Sequence, residues 1–368
     1  MLKDLTSGVI YRNPIAHIRS VHAYFSSCGQ LPNGDLVATL SMAEAFEAVD
    51  SQLHITRSTD LGETWSDPQP VSPELKDQDV SEFGRVSVID GRVVLLLQHC
   101  DRSNHPNQGL TNPDGLGFVP TQFKIKHATD DSLSNWSEPR DIVSAIEGPC
   151  FELCCPITAL RDGRWLLPTS TWPDWDGALP NGHRMIALVS HDRGESWPEW
   201  QDVFHWPQSP RNYWESKIIE LQDGRLLANA WVYDVDSQSD LPQEYTLSED
   251  GGKTWSAPQS MGLHGQTMTP LELSDGRLLN VYRRMDQPGL WAQVSRLDGS
   301  SWVNEETQPL WGHSVSELSD RDDSMIDHFR SLRFGAPHLL QLDDGQIFCS
   351  FWCYEDCVSI IRYFRFRL

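Results

Sequence analysis

The chain is short of positive charge. It has 29 lysines and arginines against 52 aspartates and glutamates, a net charge of −23 over 368 residues. Nucleic-acid binding needs a basic footprint, so that class of partner is excluded. An acidic shell serves solubility and leaves room for a small basic pocket. Long apolar runs are missing too. No stretch of 18 apolar residues could span a bilayer as a helix, and the opening Met1-Leu2-Lys3-Asp4-Leu5 has no apolar leader core. A cytoplasmic location away from membranes is therefore expected. No segment carries the periodicity of a long amphipathic helix. The eight cysteines lack the C-x2-C pairing of structural zinc sites. Cys150-x3-Cys154-Cys155 and Cys349-x3-Cys353-x3-Cys357 read as reduced thiols packed on strands, and neither a metal nor a cofactor is required.

What the chain has in plenty is one turn. Ser190 to Trp197 reads S-x-D-x-G-x-[ST]-W, and Ser58 to Trp65 and Ser248 to Trp255 are full copies. Ser295 to Trp302 has Leu297 in place of the Asp. Thr129 to Trp136 keeps Asp131 but has Leu133 in place of the Gly. Ser and Asp side chains close such turns by bonding nearby backbone N–H groups. Gly accepts positive φ at the tip, and the Trp folds back beneath as an apolar plug. Copies 47 to 71 residues apart form an internal repeat of propeller period.

A second repeat is interleaved with the first. Asn33-Gly34, Asp90-Gly91, Asp162-Gly163, Asp223-Gly224, Asp275-Gly276 and Asp344-Gly345 each lie between apolar runs, the strongest short-range hairpin signal. Strand, DG turn, strand, loop, strand, box turn and strand make one four-stranded antiparallel blade. Six such units predict an all-β, six-bladed propeller occupying residues 1–368 as one domain. The last unit has no box, so the N-terminal run Gly8–Arg12 is expected to supply its outer strand and remove the open sheet edges.

Loops at one end of a propeller converge on the axis, so polar residues at the starts of the inner strands are the site candidates. Blade one offers His22 and Tyr24, which share a strand face, followed by an acidic loop with Glu44, Glu47 and Asp50. Blade two offers Glu82 and Arg85. In blade three, Glu152 stands among apolar residues on an expected core strand; a carboxylate there must be paired or face a cavity, and desolvation suits it to proton donation. In blade four, Arg211, Tyr213 and Trp214 precede Glu215, with an ion pair to Arg211 or Lys217 as the plain alternative. Blade six offers Arg330 and Arg333. Trp172, Trp175, Trp206, Trp214 and Trp231 are candidate sugar-stacking surfaces.

The boxes resemble the Asp-box motif of the sialidase superfamily, and the whole chain is similar to its six-bladed propellers. The resemblance implies a site with three arginines on a carboxylate, a Tyr–Glu pair and an acidic Asp. The run Tyr213-Trp214-Glu215-Ser216-Lys217 through Ala230 matches the segment bearing the Glu, which places Glu215 in that role. The family then has Arg where this chain has Trp231. Its opening Arg-Ile-Pro is replaced around Ala23-Tyr24-Phe25, and a further Arg position falls on Phe46. Asp50 is the nearest match to the acid. Phe334-Gly335-Ala336-Pro337 falls where the family carries its Tyr.

With the arginine clamp replaced, an exo-acting glycoside hydrolase working on a glycan or small glycoside through Glu215 and Glu152 is the leading expectation. Substrate contacts are expected from His22, Tyr24, Arg85, Trp172, Arg211, Tyr213, Trp231 and Arg333. The alternatives are a lyase on a uronate, with His22 or Tyr24 as base and Arg333 or Arg85 neutralising the carboxylate; a sialidase with a rearranged clamp; and a non-catalytic glycan-binding propeller.

Overall fold

The computed structural model describes residues 1–115, 117–204, 211–315 and 332–368. Six antiparallel sheets stand around a common axis, each starting with its innermost strand. Strand β1 (Lys3–Tyr11) comes first in the chain and belongs to the last blade. Blade one is β2 (His22–Gln30), β3 (Leu36–Ala43), β4 (Gln52–Ser58) and β5 (Gln69–Pro70). Blade two is β6 (Val80–Ile89), β7 (Arg92–Asp101), β8 (Thr121–His127) and β9 (Arg140–Asp141). Blade three has β10 (Cys150–Phe151), β11 (Thr158–Ala159), β12 (Trp165–Trp172), β13 (Met185–Ser190) and β14 (Glu199–Phe204). Blade four is β15 (Arg211–Glu220), β16 (Leu226–Asp234), β17 (Ser239–Ser248) and β18 (Gln259–Ser260). Blade five is β19 (Gly265–Glu272), β20 (Leu278–Arg284), β21 (Leu290–Asp298) and β22 (Ser301–Trp311). Blade six is β23 (Phe334–Gln341), β24 (Ile347–Glu355) and β25 (Val358–Arg367), closed by β1. The closing strand pairs antiparallel with β25, for example Gly8 opposite Tyr363. No helix among the described residues is long and apolar enough to cross a membrane.

Strand alternation puts each blade between two cores. In β3, Leu36, Ala38 and Leu40 pack against Phe348 and Trp352 of blade six and Ile361 and Tyr363 behind them. The intervening Val37 packs with Leu53, Val86, Leu95 and Leu97 on the side of blade two.

The box turns carry the expected chemistry. Ser190 Oγ donates to Asp192 Oδ1 at 2.8 Å and accepts from Gly194 N–H at 2.8 Å. Asp192 in turn accepts from the Ser196 N–H and hydroxyl at 2.8 and 2.6 Å. These donors hold the Asp192 carboxyl down at about 2, the Ser196 hydroxyl first among them. The degenerate copies differ from expectation. In the second, Asp130 rather than Asp131 caps the turn, accepting from Ser132 N–H at 2.9 Å and Asn135 Nδ2 at 2.6 Å, while Leu133 takes the left-handed φ of 60°. In the fifth, without its Asp, β21 and β22 join in a tight hairpin with Asp298 opposite Ser301.

At four of the blade junctions an arginine ties one blade to the turn of the next. Arg365 of blade six donates to Leu61 O in blade one (2.7 Å), and Arg57 of blade one to Asp131 O in blade two (2.7 Å). Arg140 of blade two reaches Gly194 O in blade three (2.8 Å), and Arg225 of blade four reaches Gly299 O in blade five (2.8 Å).

The inner strand of blade three departs from its expected continuity. It is broken between β10 and β11, both of which pair with β12. Pro156 cannot donate to a ladder, and the chain bends at Cys155. Glu152 therefore sits in a break rather than in a strand.

Gly163 and Gly194 separate two costs of adding a methyl group. Both have positive φ (90° and 82°), but a Cβ at Gly163 meets open space whereas one at Gly194 comes within 2.8 Å of Ile125 Cδ1 and the Trp165 ring. Gly163→Ala should cost about 1 kcal/mol for the left-handed backbone. Gly194→Ala should lose a further ~1–3 kcal/mol to overpacking. Urea unfolding midpoints measure both, and equal losses would contradict the packing at the box tip.

Candidate active site

Four inner strands carry the same irregularity. Register shifts fall between Tyr24 and Ser27, Trp214 and Lys217, Gln266 and Thr269, and Gly335 and His338. At each bulge one residue other than glycine takes left-handed φ: Phe25 (53°), Glu215 (51°), Thr267 (52°) and Ala336 (46°). Such conformations cost of order 1–3 kcal/mol each and persist only where the surroundings fix them. Bulges re-aim side chains and leave peptide groups outside the ladder. Here they do so at one level of the axis, and two inner strands break the pattern: β6 is regular, and blade three has its break.

At that level all six blades line one cavity of about 210 Å³, with Ser26, Arg85, Cys154, Glu215, Thr267 and His338 as one contribution from each. Two buried cations satisfy its loose carbonyls. Arg85 donates from Nη1 to Phe25 O (3.2 Å) and Gly84 O (3.1 Å), and from Nη2 to Leu153 O (3.4 Å). Lys217 Nζ donates to Cys154 O (2.7 Å) and Glu215 O (3.0 Å), and stands 3.4 Å from Glu215 Oε2. Burial draws the Arg85 guanidinium below its usual range, opposed first by Glu215.

Glu152 and Glu215 meet at the edge of this cavity, Glu215 among its lining residues and Glu152 behind them. The Glu215 N–H donates to Glu152 Oε2 at 3.0 Å, and the Cys154 thiol lies 3.3 Å from the same oxygen. Burial raises the Glu152 carboxyl to about 7, with the neighbouring Glu215 charge as the second cause; the Glu215 N–H, the Cys154 thiol and Lys217 oppose it. Glu215 keeps a fifth of its side chain exposed to the cavity. His338 Nδ1 accepts from Cys28 N–H at 3.2 Å, and burial with Arg85 and Lys217 nearby drives its pKa down to about 3, so the imidazole is neutral.

The other expected site residues lie elsewhere. Tyr24 is buried, its hydroxyl 2.6 Å from that of Tyr354, amid Phe25, Phe46 and Trp352. His22 has both ring nitrogens engaged, Nδ1 by Ser359 N–H and Nε2 by the Ser20 hydroxyl, each at 2.9 Å. Trp172 and Trp231 are not open platforms. They are 4% and 3% exposed and pack around Trp214, at ring separations of 5.6 and 5.0 Å. Arg211 pairs with Glu244 (2.5 Å), which also accepts from the Tyr213 hydroxyl (3.1 Å), so this trio braces blade four. Asp50 is exposed and caps its own loop through Glu44 N–H at 3.2 Å. Glu47 accepts from Leu110 N–H at 2.8 Å. Arg333 is exposed and not among the residues lining the cavity. Arg330 and Trp206 lie outside the described residues.

Lys217 and His338 also line the cavity, too far along their strands to stand out as strand-start residues. A register was available. Ser27, Lys217, Thr269 and His338 each stand seven residues before the glycine of their own hairpin turn, and Phe25, Glu215, Thr267 and Ala336 nine before it. All eight cysteines are free. No group of three or more His, Cys, Asp or Glu among the described residues could hold a metal.

Comparison with known proteins adds the following. A family model described as a BNR repeat-like domain matches residues 120–349. No curated protein sequence matches the chain. Among solved structures, a Dyadobacter fermentans protein of unknown function superposes with a TM-score of 0.71 at 19% identity, over 99% of both chains. The NanB sialidase of Streptococcus pneumoniae gives 0.65 at 12% identity, with 98% of this chain on 70% of that one. The Trypanosoma rangeli sialidase solved with sialic acid gives 0.64 at 13% identity, with 98% of this chain on 59% of that one. At these identities the likeness is one of fold.

The Glu152 environment predicts a pH signature. Its carboxyl moves from an ordinary 4.5 to about 7 on folding, so the folded chain binds the proton more tightly than the unfolded one. The stability this contributes is complete below about pH 4.5 and is lost as pH rises through about 7. Glu152→Gln cannot ionise and should flatten this slope by about 3 kcal/mol across that window. Denaturation midpoints between about pH 4.5 and 8 measure it. An unaltered slope would remove Glu152 as the group that titrates.

Proposed function

The chain belongs to the BNR repeat-like domain family and has a sialidase-like propeller fold, and on that footing we propose that it is a glycoside hydrolase acting on chain-terminal sugars through Glu152 and Glu215. One observation carries this reading. Two carboxyl groups adjoin at the hub but differ in environment: burial raises the Glu152 carboxyl to about 7, while Glu215 lines the cavity 3.4 Å from the Lys217 ammonium. Pairs of titratable groups with environments pushed apart mark acid and base roles.

In this mechanism Glu152 gives its proton to the departing glycosidic oxygen as the bond to the anomeric carbon breaks. Glu215 acts on the other side of that carbon, either as nucleophile or by taking a proton from an attacking water. The separation of the two groups around a bound sugar sets the stereochemistry, about 5 Å for retention and ~6.5–9.5 Å for inversion. The cavity's 210 Å³ falls below the ~300–1,000 Å³ of drug-sized sites, which suits one terminal ring rather than an internal stretch of polymer.

Several features weigh against the other chemistries. A sialidase clamp would need cations where this chain has the buried Trp231 and the aromatic-packed Phe46. A lyase using His22 or Tyr24 would need a base with a free site facing the cavity, and both are engaged elsewhere.

A panel of aryl glycosides and oligosaccharides tests the proposal. Glu215→Gln should reduce turnover by roughly 10²–10⁴-fold with the unfolding midpoint little changed. Full turnover in that variant would overturn the assignment. Glycan binding with no bond cleaved across the panel would make the propeller a lectin-like module.

A further inference from the structure

The same bulge occurs in four blades, but one alone carries a charged pair on it. At the left-handed position and two residues later stand Phe25 and Ser27, Thr267 and Thr269, Ala336 and His338, and in blade four Glu215 and Lys217. The lysine side chain is 11% exposed, and its three donors are all engaged within the hub. Two hold blade four to itself, through Glu215 O and Oε2. The third crosses to Cys154 O at 2.7 Å. Cys154 ends the short turn that presents Glu152: its N–H bonds Glu152 O at 3.1 Å, and its thiol lies 3.3 Å from Glu152 Oε2. One ammonium thus grips both the bulge carrying Glu215 and the broken strand carrying Glu152.

Two other buried cations feel the Glu215 charge, but neither bonds the Glu215 bulge. Arg85, from blade two, spends its donors on three carbonyls. Arg283, on the blade-five side, bonds Gln266 Oε1 at 3.0 Å and Phe334 O at 2.8 Å. His338, facing from blade six, is neutral, and burial keeps the blade-three thiols of Cys154 and Cys155 protonated. A carboxylate next to a second carboxyl needs an opposite charge at hand if the two are not to trade one proton between them.

We propose that Lys217 is the positioning residue of this site: it fixes Glu215 as the anionic partner and holds the Glu152 turn against it, so that the working proton stays on Glu152. The proposal rests on the reading of Glu152 and Glu215 as the working pair. It makes a claim about protonation that needs no substrate to test.

The test is infrared titration of the full chain, following the protonated-carboxyl stretch that disappears in Glu152→Gln. In Lys217→Met the proton should be shared with Glu215, so near about pH 6 this band should fall to roughly half its parent intensity while a second band, absent from Glu215→Gln, gains, since an opposite charge within ~4–6 Å is worth one to three units to Glu215. Lys217→Arg should restore most of the lost intensity. In a Glu215→Gln background no second carboxyl can take the proton, so Lys217→Met should leave the band's intensity unchanged. Where Lys217→Met alone does not fold, Lys217→Gln, which keeps a donor without the charge, gives the same reading. Undiminished intensity in the folded variant, or an equal loss in both backgrounds, overturns the proposal. A redistributed proton with no glycoside ever cleaved removes the hydrolase reading and leaves the role of Lys217 standing. An undiminished band in a protein that does cleave glycosides does the reverse.

Discussion

A carbonyl that leaves its ladder at the centre of a ring has no neighbouring strand to bond. It must find a donor inside the channel or forfeit of order 1–3 kcal/mol. This protein makes that demand repeatedly, because its inner strands bulge at one common level and blade three breaks there. Arg85 and Lys217 answer it, each reaching carbonyls in more than one blade. Two desolvated cations then stand at the axis of a chain of strongly negative net charge, and two carboxyls are drawn in beside them. The charge arrangement of the hub follows from a backbone problem.

The outer rim obeys a different logic. Box turns are held by Ser, Asp and Gly within eight residues of each other, so losing one member changes one turn and leaves the axis alone. Asp130 takes over from its neighbour in the second box, and in the fifth the loop becomes a plain hairpin. Drift at the rim is compatible with a fixed hub because the two are separated by the width of a blade. For the same reason, box residues identify the fold without identifying the chemistry.

Much of this was legible in the sequence. Six DG turns and five boxes are local chemistry, and the blade count and ring closure follow from them. Glu152 and Glu215 stood out because a carboxylate within an apolar run has to be explained. The fates of the tryptophans were not legible: whether Trp172 faces solvent or packs on Trp214 is decided by the neighbouring blade, not by its own segment. The Arg211 ion pair was hidden for a related reason, since its partner Glu244 sits two strands away in the same sheet. The break in blade three hid inside Cys154-Cys155-Pro156, a run apolar enough to pass for strand. Lys217 could have been found by aligning the inner strands on their turn glycines, a register set by the repeat itself.

The four arginine ties run the same way round the ring, from one blade to the one that follows, and the tie onto the first blade comes from Arg365 in the last. β1 likewise waits for β25. On a ribosome the opening strand emerges first and finds its partner only after nearly all the propeller has been made. Until then the nascent chain exposes an unpaired edge at each end of an open arc, and closure is a single late event in which first and last blades become stable together.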